Sequence, residues 1–378
     1  MNSCGRSFGR GAWVLAWLTM VLSGLLPVHA QIVVGQTSGF TGPVASGVKE
    51  NTDGARLLFD EVNRAGGIDG KKIELVSLDD EFKPELARAN ALRLITEYKA
   101  TALFLNRGTP HTEALLPLLE KYQIPLVGPS SGAMVLHQPV RPWVFNVRAP
   151  YQKETELAVR HLDSIGVSRI GLLYTDDSFG NDAVQGAQRE MGRLHIEPIF
   201  SVKFAREAPQ TAQLVDVVLR QQPQAVIFIG AAATVAEGIL ALRAGGFRAQ
   251  VLTLSNNASE GFIRSLGNQS AGVIVTQVFP NENSLSTPLV SEMSRLARAH
   301  GLAHVTPAMV EGYAAAKVLV EGLRRAGPNP NRASLVKALN GLQKWDLGGL
   351  DLHYDPSDHG GLSYAELSII SPSGQFRR

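Results

Sequence analysis

Ile124-Pro-Leu-Val-Gly-Pro-Ser-Ser-Gly132 sets the reading of the whole chain. Four apolar residues, enough for a short buried strand, run straight into glycine, proline, two hydroxyls and a second glycine, which is a strand ending in a tight polar loop. A similar unit precedes it, where Ala102-Leu-Phe-Leu105 leads into Asn106-Arg-Gly-Thr-Pro-His111. In an open parallel sheet the loops at the carboxyl ends of the strands are free to face a ligand, because their N–H groups and short side chains are not committed to the ladder. Two such loops side by side form a polar lip suited to the carboxylate end of a small molecule.

Outward from this stretch, strand and helix alternate. Ile32-Val-Val-Gly35 is a first buried strand, followed by the glycine-rich loop 36–43; residues 53–65 then carry Ala55, Leu58, Phe59 and Val62 at helical spacing, stopped by Gly66-Gly67. Strand 73–78 ends in Asp79-Asp80, helix 84–98 follows, and helix 113–122 separates the strands at 102–105 and 124–127. After a short strand at 143–147 the pattern restarts, with strands at 169–174, 199–204, 225–229, 250–254 and 272–277 and helices between them. This alternation demands parallel sheets covered on both faces. The chain of 378 residues exceeds what one core usually supports, so the fold class expected is α/β with two doubly wound αβα lobes. Helices over 305–325 and 332–342 are expected to return to the first lobe, and residues 349–370 read as a strand pair around the polar turn 355–361.

Residues 1–30 stand apart: Arg6 and Arg10, an apolar run over 12–26, then Val28-His-Ala30. The run is shorter than the ~20 residues a membrane helix needs and ends in a small-residue cleavage pattern, so it reads as a secretory signal cut after Ala30. An uncleaved anchor is the alternative. Without Arg6 and Arg10, the 36 Lys+Arg fall to 34, matching the 34 Asp+Glu. A balanced charge gives no support for nucleic acid as a partner. The lone Cys4 precedes the apolar run, which leaves the exported chain without disulfides or a thiol nucleophile.

Gly128-Pro-Ser130-Ser-Gly132 spells the G-x-S-x-G pattern of serine hydrolases, and Asp358 and His359 satisfy the chain order of a triad. Pro129 opposes that reading, since it fixes φ where the elbow needs a strained turn, and 133–140 is too short for the supporting helix. Asp79-Asp80-Glu81 reads as solvated strand-end carboxylates or a helix N-cap before it reads as a metal site, because three adjacent acids do not converge on one ion. No phosphate loop or dinucleotide fingerprint occurs, and no cofactor is expected. Thr109, Ser130 and Ser131 suit a carboxylate. Arg107 beside them offers a bidentate clamp or, alternatively, is an exposed or lobe-bridging arginine. Phe179, in Ser178-Phe-Gly180 at a strand end, either covers a ligand from the second lobe or belongs to the core.

With these residues in view, the chain resembles the type I periplasmic substrate-binding proteins of ABC importers, in the leucine/isoleucine/valine-binding branch. The resemblance spans 31–376 and rests on Gly39-x-x-Gly42-Pro43, Gly54-Ala55, Asn63-x-x-Gly66-Gly67-Ile68-x-Gly70, Asp79-Asp80 with Pro84, the 124–129 segment and Asp176-Asp177-Ser-Phe-Gly180. It implies two lobes joined by three crossovers near 148, 278 and 345: residues 31–147 plus 279–344 in one, 148–278 plus 345–378 in the other. It implies a periplasmic receptor, not an enzyme, closing on a small-molecule ligand and presenting it to an ABC permease; a monomer is the default expectation, and a sensor reporting the ligand to a signalling partner is the competing reading. It places Thr109 on a ligand carboxylate, with Ser130 to Gly132 beside it and Phe179 where a tyrosine is common. Two departures follow from the same comparison. Asn256 stands where amino-acid binders carry an acid for the ammonium, and Ala232 lies among three alanines where an aromatic often assists. A buried ammonium without a partner costs several kcal/mol, so the expected ligand is a carboxylate such as an aromatic or aliphatic acid, with an amino acid or an amide as the alternative.

Overall fold

A computed structural model describes residues 1–2, 31–207 and 210–378. The expected leader lies, beyond its first two residues, outside the described residues. The first sheet is built from β1 (Ile32–Ser38), β2 (Ile73–Asp79), β3 (Ala102–Phe104), β4 (Leu126–Val127) and β5 (Val144–Phe145), in the order β2-β1-β3-β4-β5 and parallel throughout. Three helices connect it: α1 (Ala45–Arg64), α2 (Pro84–Thr96) and α3 (Thr109–Tyr122). Proline falls in the first turn of α2 and α3, where its missing N–H costs no intrahelical bond. α1 begins eight residues earlier than apolar periodicity alone suggests, because Ala45 to Lys49 continue the helix over the cleft.

The second unit repeats the plan with α4 (Tyr151–Ser164), β6 (Ile170–Thr175), α5 (Ser178–Arg193), β7 (Phe200–Phe204), α6 (Thr211–Gln221), β8 (Ala225–Ile229), α7 (Ala232–Ala244), β9 (Gln250–Thr253), α8 (Glu260–Leu266) and β10 (Ile274–Gln277). Every residue of β6 and β8 is buried, as continuous apolar runs in a sheet covered on both faces should be. The chain then returns to the first unit through α9 (Pro288–Ala299), α10 (Pro307–Arg325) and α11 (Arg332–Leu339). α10 lies directly on α1: a Cβ added at Gly54 would sit 2.0 Å from the Met309 carbonyl oxygen, and one at Gly312 1.7 Å from that of Asn51. Only glycine permits two helix backbones to approach so closely, and this contact fixes the helix that carries part of the site.

The end of the chain departs from expectation. β11 (Trp345–Asp346) pairs with β12 (Asp351–Leu352), while β13 (Glu366–Ile370) adds antiparallel to β10 and β14 (Phe376–Arg377) antiparallel to β13, completing the second sheet, ordered β14-β13-β10-β9-β8-β6-β7. Residues 349–370 are therefore not one strand pair. The turn at 355–361 is held by Asp355 accepting from Ser357 and by His359 donating into the first unit, and Leu347, Leu352, Tyr354 and Leu362 join the first unit's core. The return expected at 345 thus occurs after 362, because these apolar side chains are buried against Phe145 and α10. Among the described residues, no helix is long and apolar enough to cross a membrane.

Candidate functional site

The carboxyl edges of the two sheets face each other. The loop after β3 and the loop after β4 extend their pairing by a bridge between Arg107 and Ser130, with the Ser130 amide donating to the Asn106 carbonyl at 2.8 Å. Gly108, at φ 97°, turns the first of these loops into α3, and a Cβ there would meet His111 Nδ1 at 2.6 Å. The second unit supplies Phe179 in the first turn of α5, Ala231 capping α7 and Asn256 in a 3-10 turn after β9. Together with Val44, Phe82, Gly108, Tyr151, Thr175 and Arg206, these residues enclose a cavity of about 20 Å³, room for about one water molecule. The amino-terminal ends of α3, α5 and α7 all border it, a setting that favours negative charge.

The two edges touch. Arg107 donates through Nη2 to the Asn256 carbonyl of the second unit, and its Nη1 lies 3.4 Å from Ser130 Oγ. Ser178 donates to Glu113, the Ala233 amide to the Pro43 carbonyl at 3.2 Å, and the Glu260 and Gly261 amides to the Glu50 carboxylate at 3.1 Å each. Arg206 stacks on the Phe82 ring at 4.8 Å while pairing with Asp177. Behind Phe82, His111 stacks on its ring at 4.3 Å, and burial pushes its imidazole down to about 4, so it is neutral. Burial also lowers the Arg107 pKa from its ordinary value, opposed by Glu311, yet a guanidinium stays charged. Among the described residues the cavity is lined by two arginines, Arg206 being already paired with Asp177, and by no Asp or Glu.

The acids after β2 serve the loops around this edge. Asp79 accepts from the Phe40, Thr41 and Glu81 amides, and Asp80, fully buried, accepts from the Phe82 amide at 2.9 Å and bonds Thr37 Oγ1 at 3.1 Å. Among the described residues no group of three or more His, Cys, Asp or Glu is arranged to hold a metal ion. Burial lifts the Asp80 carboxyl from 3.8 to about 7, against the pull of the Phe82 and Thr37 hydrogen bonds. Between about pH 4 and 7 the folded form then binds a proton that the unfolded chain has lost, so stability falls as pH rises through that window. Asp80→Asn, which cannot ionise, is expected to be more stable than the wild type at pH 8 by about 1–3 kcal/mol, the gap narrowing toward pH 4. Melting temperatures of both proteins across that range check it; an equal offset at both ends would remove Asp80 as the titrating group.

Of the residues singled out in the sequence, Arg107, Thr109, Ser130, Phe179 and Asn256 meet around the cavity. Ser131, Gly132 and Ala232 do not line it. Ser131 turns inward and shares a hydrogen with Thr109 at 2.9 Å; a Cβ on Gly132 would meet the Ala149 carbonyl oxygen at 2.7 Å; Ala232 lies inside α7, and its neighbour Ala231 reaches the cavity instead. Among the described residues Ser130 has no imidazole partner: its hydroxyl bonds Asn51 at 3.2 Å, while His359 bonds the Arg141 and Val144 carbonyls and Asn340. Among the described residues Ser130, Asp358 and His359 do not assemble a hydrolase triad. Tyr151, Phe82 and Arg206 escaped the sequence reading. Arg206 lies two residues past the end of β7, the strand-end position that drew attention to the others.

Two α/β units whose facing sheet edges enclose a polar cavity define a two-lobed binding protein. The chain belongs to the periplasmic binding protein family, whose model matches residues 31–366. A substrate-binding periplasmic protein from Ralstonia solanacearum is 33% identical, with a TM-score of 0.84 over 92% of this chain and 99% of that one. A possible leucine/isoleucine/valine-binding protein from Rhodopirellula baltica SH 1 is 28% identical, with a TM-score of 0.87 over 93% of this chain and 98% of that one. An amino acid binding protein from Pseudomonas aeruginosa is 23% identical over 227 residues, which are 59% of this chain and 60% of the relative. The resemblance read from the sequence holds, and the chain is a solute-binding protein, not an enzyme.

Proposed function

We propose that the chain is the extracytoplasmic receptor of an ABC importer, exported by residues 1–30, which captures a small carboxylate-bearing solute between its lobes and hands it, as a monomer, to a membrane permease. The observation that supports this most is the charge of the cavity: Arg107 and Arg206 line it, and among the described residues no Asp or Glu does. A carboxylate there would take two charge-assisted hydrogen bonds from the Arg107 fork. The Thr109 hydroxyl and the first turn of α3 would add donors. An ammonium, by contrast, would meet two guanidiniums and only neutral hydroxyl, carbonyl or amide oxygens, at a cost of several kcal/mol. The rings of Phe82, Tyr151 and Phe179 suit an apolar or aromatic body on the same molecule.

The Asn256 carbonyl already occupies one donor of Arg107. A ligand carboxylate is the stronger acceptor and would displace it, and a cavity of about 20 Å³ must widen to admit any such solute. Uptake therefore involves hinge opening, with 31–147 plus 279–362 moving against 148–278 plus 363–378. Calorimetry against a panel of aliphatic and aromatic monocarboxylates, with leucine included, tests the reading. Tight binding of an acid lacking an amino group is expected. Nanomolar leucine binding with no response to any simple acid would overturn it.

A further inference from the structure

The lobes also meet outside the cavity, where α1 of the first lobe faces the start of α8 in the second. Ser46 and Glu50, one turn apart on the same face of α1, lie against Glu260 and Gly261, and none of the four lines the interlobe cavity. The Glu50 carboxylate accepts from both facing amides, through Oε2 from Glu260 and through Oε1 from Gly261, at 3.1 Å each. The next amide, that of Phe262, donates to the Ser259 hydroxyl at 3.1 Å. Amides in a first helical turn have no partner within the helix. Those of α8 are therefore satisfied partly from their own lobe and partly from the other.

Gly261 limits how closely the lobes approach. A Cβ there would stand 2.2 Å from Ser46 Cβ and 2.5 Å from its Oγ, while the next nearest atom, Ser46 Cα at 3.6 Å, is in ordinary contact. The three atoms nearest the added carbon all belong to the opposite lobe. Gly261 lies within α8, where alanine is the better helix former, so what its missing side chain makes room for is the other lobe. Ser46 cannot retreat by itself, because the backbone contacts at Gly54 and Gly312 lock α1 onto α10 and it moves with the first lobe as a whole. Burial raises the Glu50 carboxyl above its ordinary range, with the Gly261 amide, Thr306 and the Glu260 amide pulling it down. The two hydrogen bonds thus offset a desolvation that shutting the seam imposes.

We propose that this seam sets how firmly the lobes shut, with Glu50 a positioning residue that latches α8 and Gly261 a glycine that closure requires, neither touching the solute. The proposal rests on the reading that uptake involves hinge opening. A solute that prefers the shut form is held in proportion to the share of protein able to shut, so the seam scales every affinity by one common factor. No cysteine occurs in 31–378, and the Glu113 and Ser178 side chains bond across the cleft. A Glu113→Cys/Ser178→Cys pair is therefore trapped by a short bismaleimide at a rate that follows the shut fraction, with no solute present. Adding Gly261→Ala is expected to slow trapping roughly 5- to 150-fold, the range for overpacking a close contact. Ser46→Gly removes both colliding atoms and is expected to restore most of the rate, which damage confined to the second lobe would not allow. Glu50→Ala is expected to slow trapping roughly 3- to 10-fold, the net worth of a hydrogen bond or two. Calorimetry of Gly261→Ala against the panel of acids and leucine should give the same fold loss for each solute the wild type binds. No trapping of the cysteine pair, undiminished trapping in Gly261→Ala or Glu50→Ala, a loss that Ser46→Gly leaves in place, or unequal losses among solutes would overturn the proposal. Trapping is read without solute, so the seam and the carboxylate reading fail separately.

Discussion

Arg148→Met is expected to destabilise the protein by about 3–5 kcal/mol, the range for removing one partner of a buried ion pair. Arg148 is 1% exposed, with Nη2 2.5 Å from Glu154 Oε1 and 2.6 Å from Ser255 Oγ, and Nη1 3.7 Å from Glu311 Oε1. Burial opposes its charge, but Tyr151, Glu311 and Glu154 outweigh that and hold the guanidinium above its ordinary pKa. Glu154, wholly buried, also accepts from the Ser255 amide at 2.9 Å and from the Thr276 hydroxyl. The group thus joins the first crossing between lobes, at 148, to the loop after β9, the end of β10 and α10 of the first lobe. Methionine fills the space but strands Glu154 and Glu311 in an apolar interior. The double variant Arg148→Met/Glu154→Gln should recover much of the loss, since the cost lies in the uncompensated charge and not in the missing contact. Urea midpoints of wild type, both single variants and the double variant check this; additive losses would show that the network is not coupled.

The two-lobed plan was legible because buried parallel strands announce themselves as continuous apolar runs ending in Gly, Ser or Asp, and the runs at 170–174 and 225–229 are wholly buried as β6 and β8. The tail was not legible. Its strands are two to five residues long, too short for alternation to set a partner. Its register depends instead on where Tyr354 and Leu362 find a core, which no local pattern encodes.

The site divides along the same line. Residues on the loops after β3 and β4 could be named because strand-end position and side-chain chemistry coincide there. Of the readings kept open for Arg107, the bridge between lobes is present, since it bonds the facing lobe, while its place in the cavity wall leaves the clamp to the proposal. Ser131 was misplaced because hydroxyls adjacent in sequence point opposite ways from an extended loop: Ser130 faces the cavity and Ser131 faces Thr109. Phe82 and Tyr151 were missed for a different reason. Phe82 follows three acids that drew attention to charge, and Tyr151 begins a helix just past a crossing, so each reaches the cavity only through tertiary geometry.

Arg107→Met is expected to do the opposite of Arg148→Met: to abolish capture while sparing the fold. Arg107 has no carboxylate partner within salt-bridge distance among the described residues; its guanidinium packs against Gly47 of α1 and bonds only the Asn256 carbonyl and Ser130. Removing it strands no buried charge and relieves the desolvation that lowers its pKa. The melting temperature should therefore hold or rise. Affinity should collapse, because truncating one member of a buried hydrogen-bonded charge pair costs about 2–5 kcal/mol, roughly 30-fold to several thousand-fold. Arg107→Lys separates charge from shape: a lysine keeps the sign but lacks the planar fork, and an intermediate loss is expected. Calorimetry with the tightest acid from the panel, paired with thermal melts of each variant, reads both effects at once. If Arg107→Met bound that acid as tightly as the wild type, the carboxylate would have to sit elsewhere, and the cleft's paired arginines would lose the role given to them.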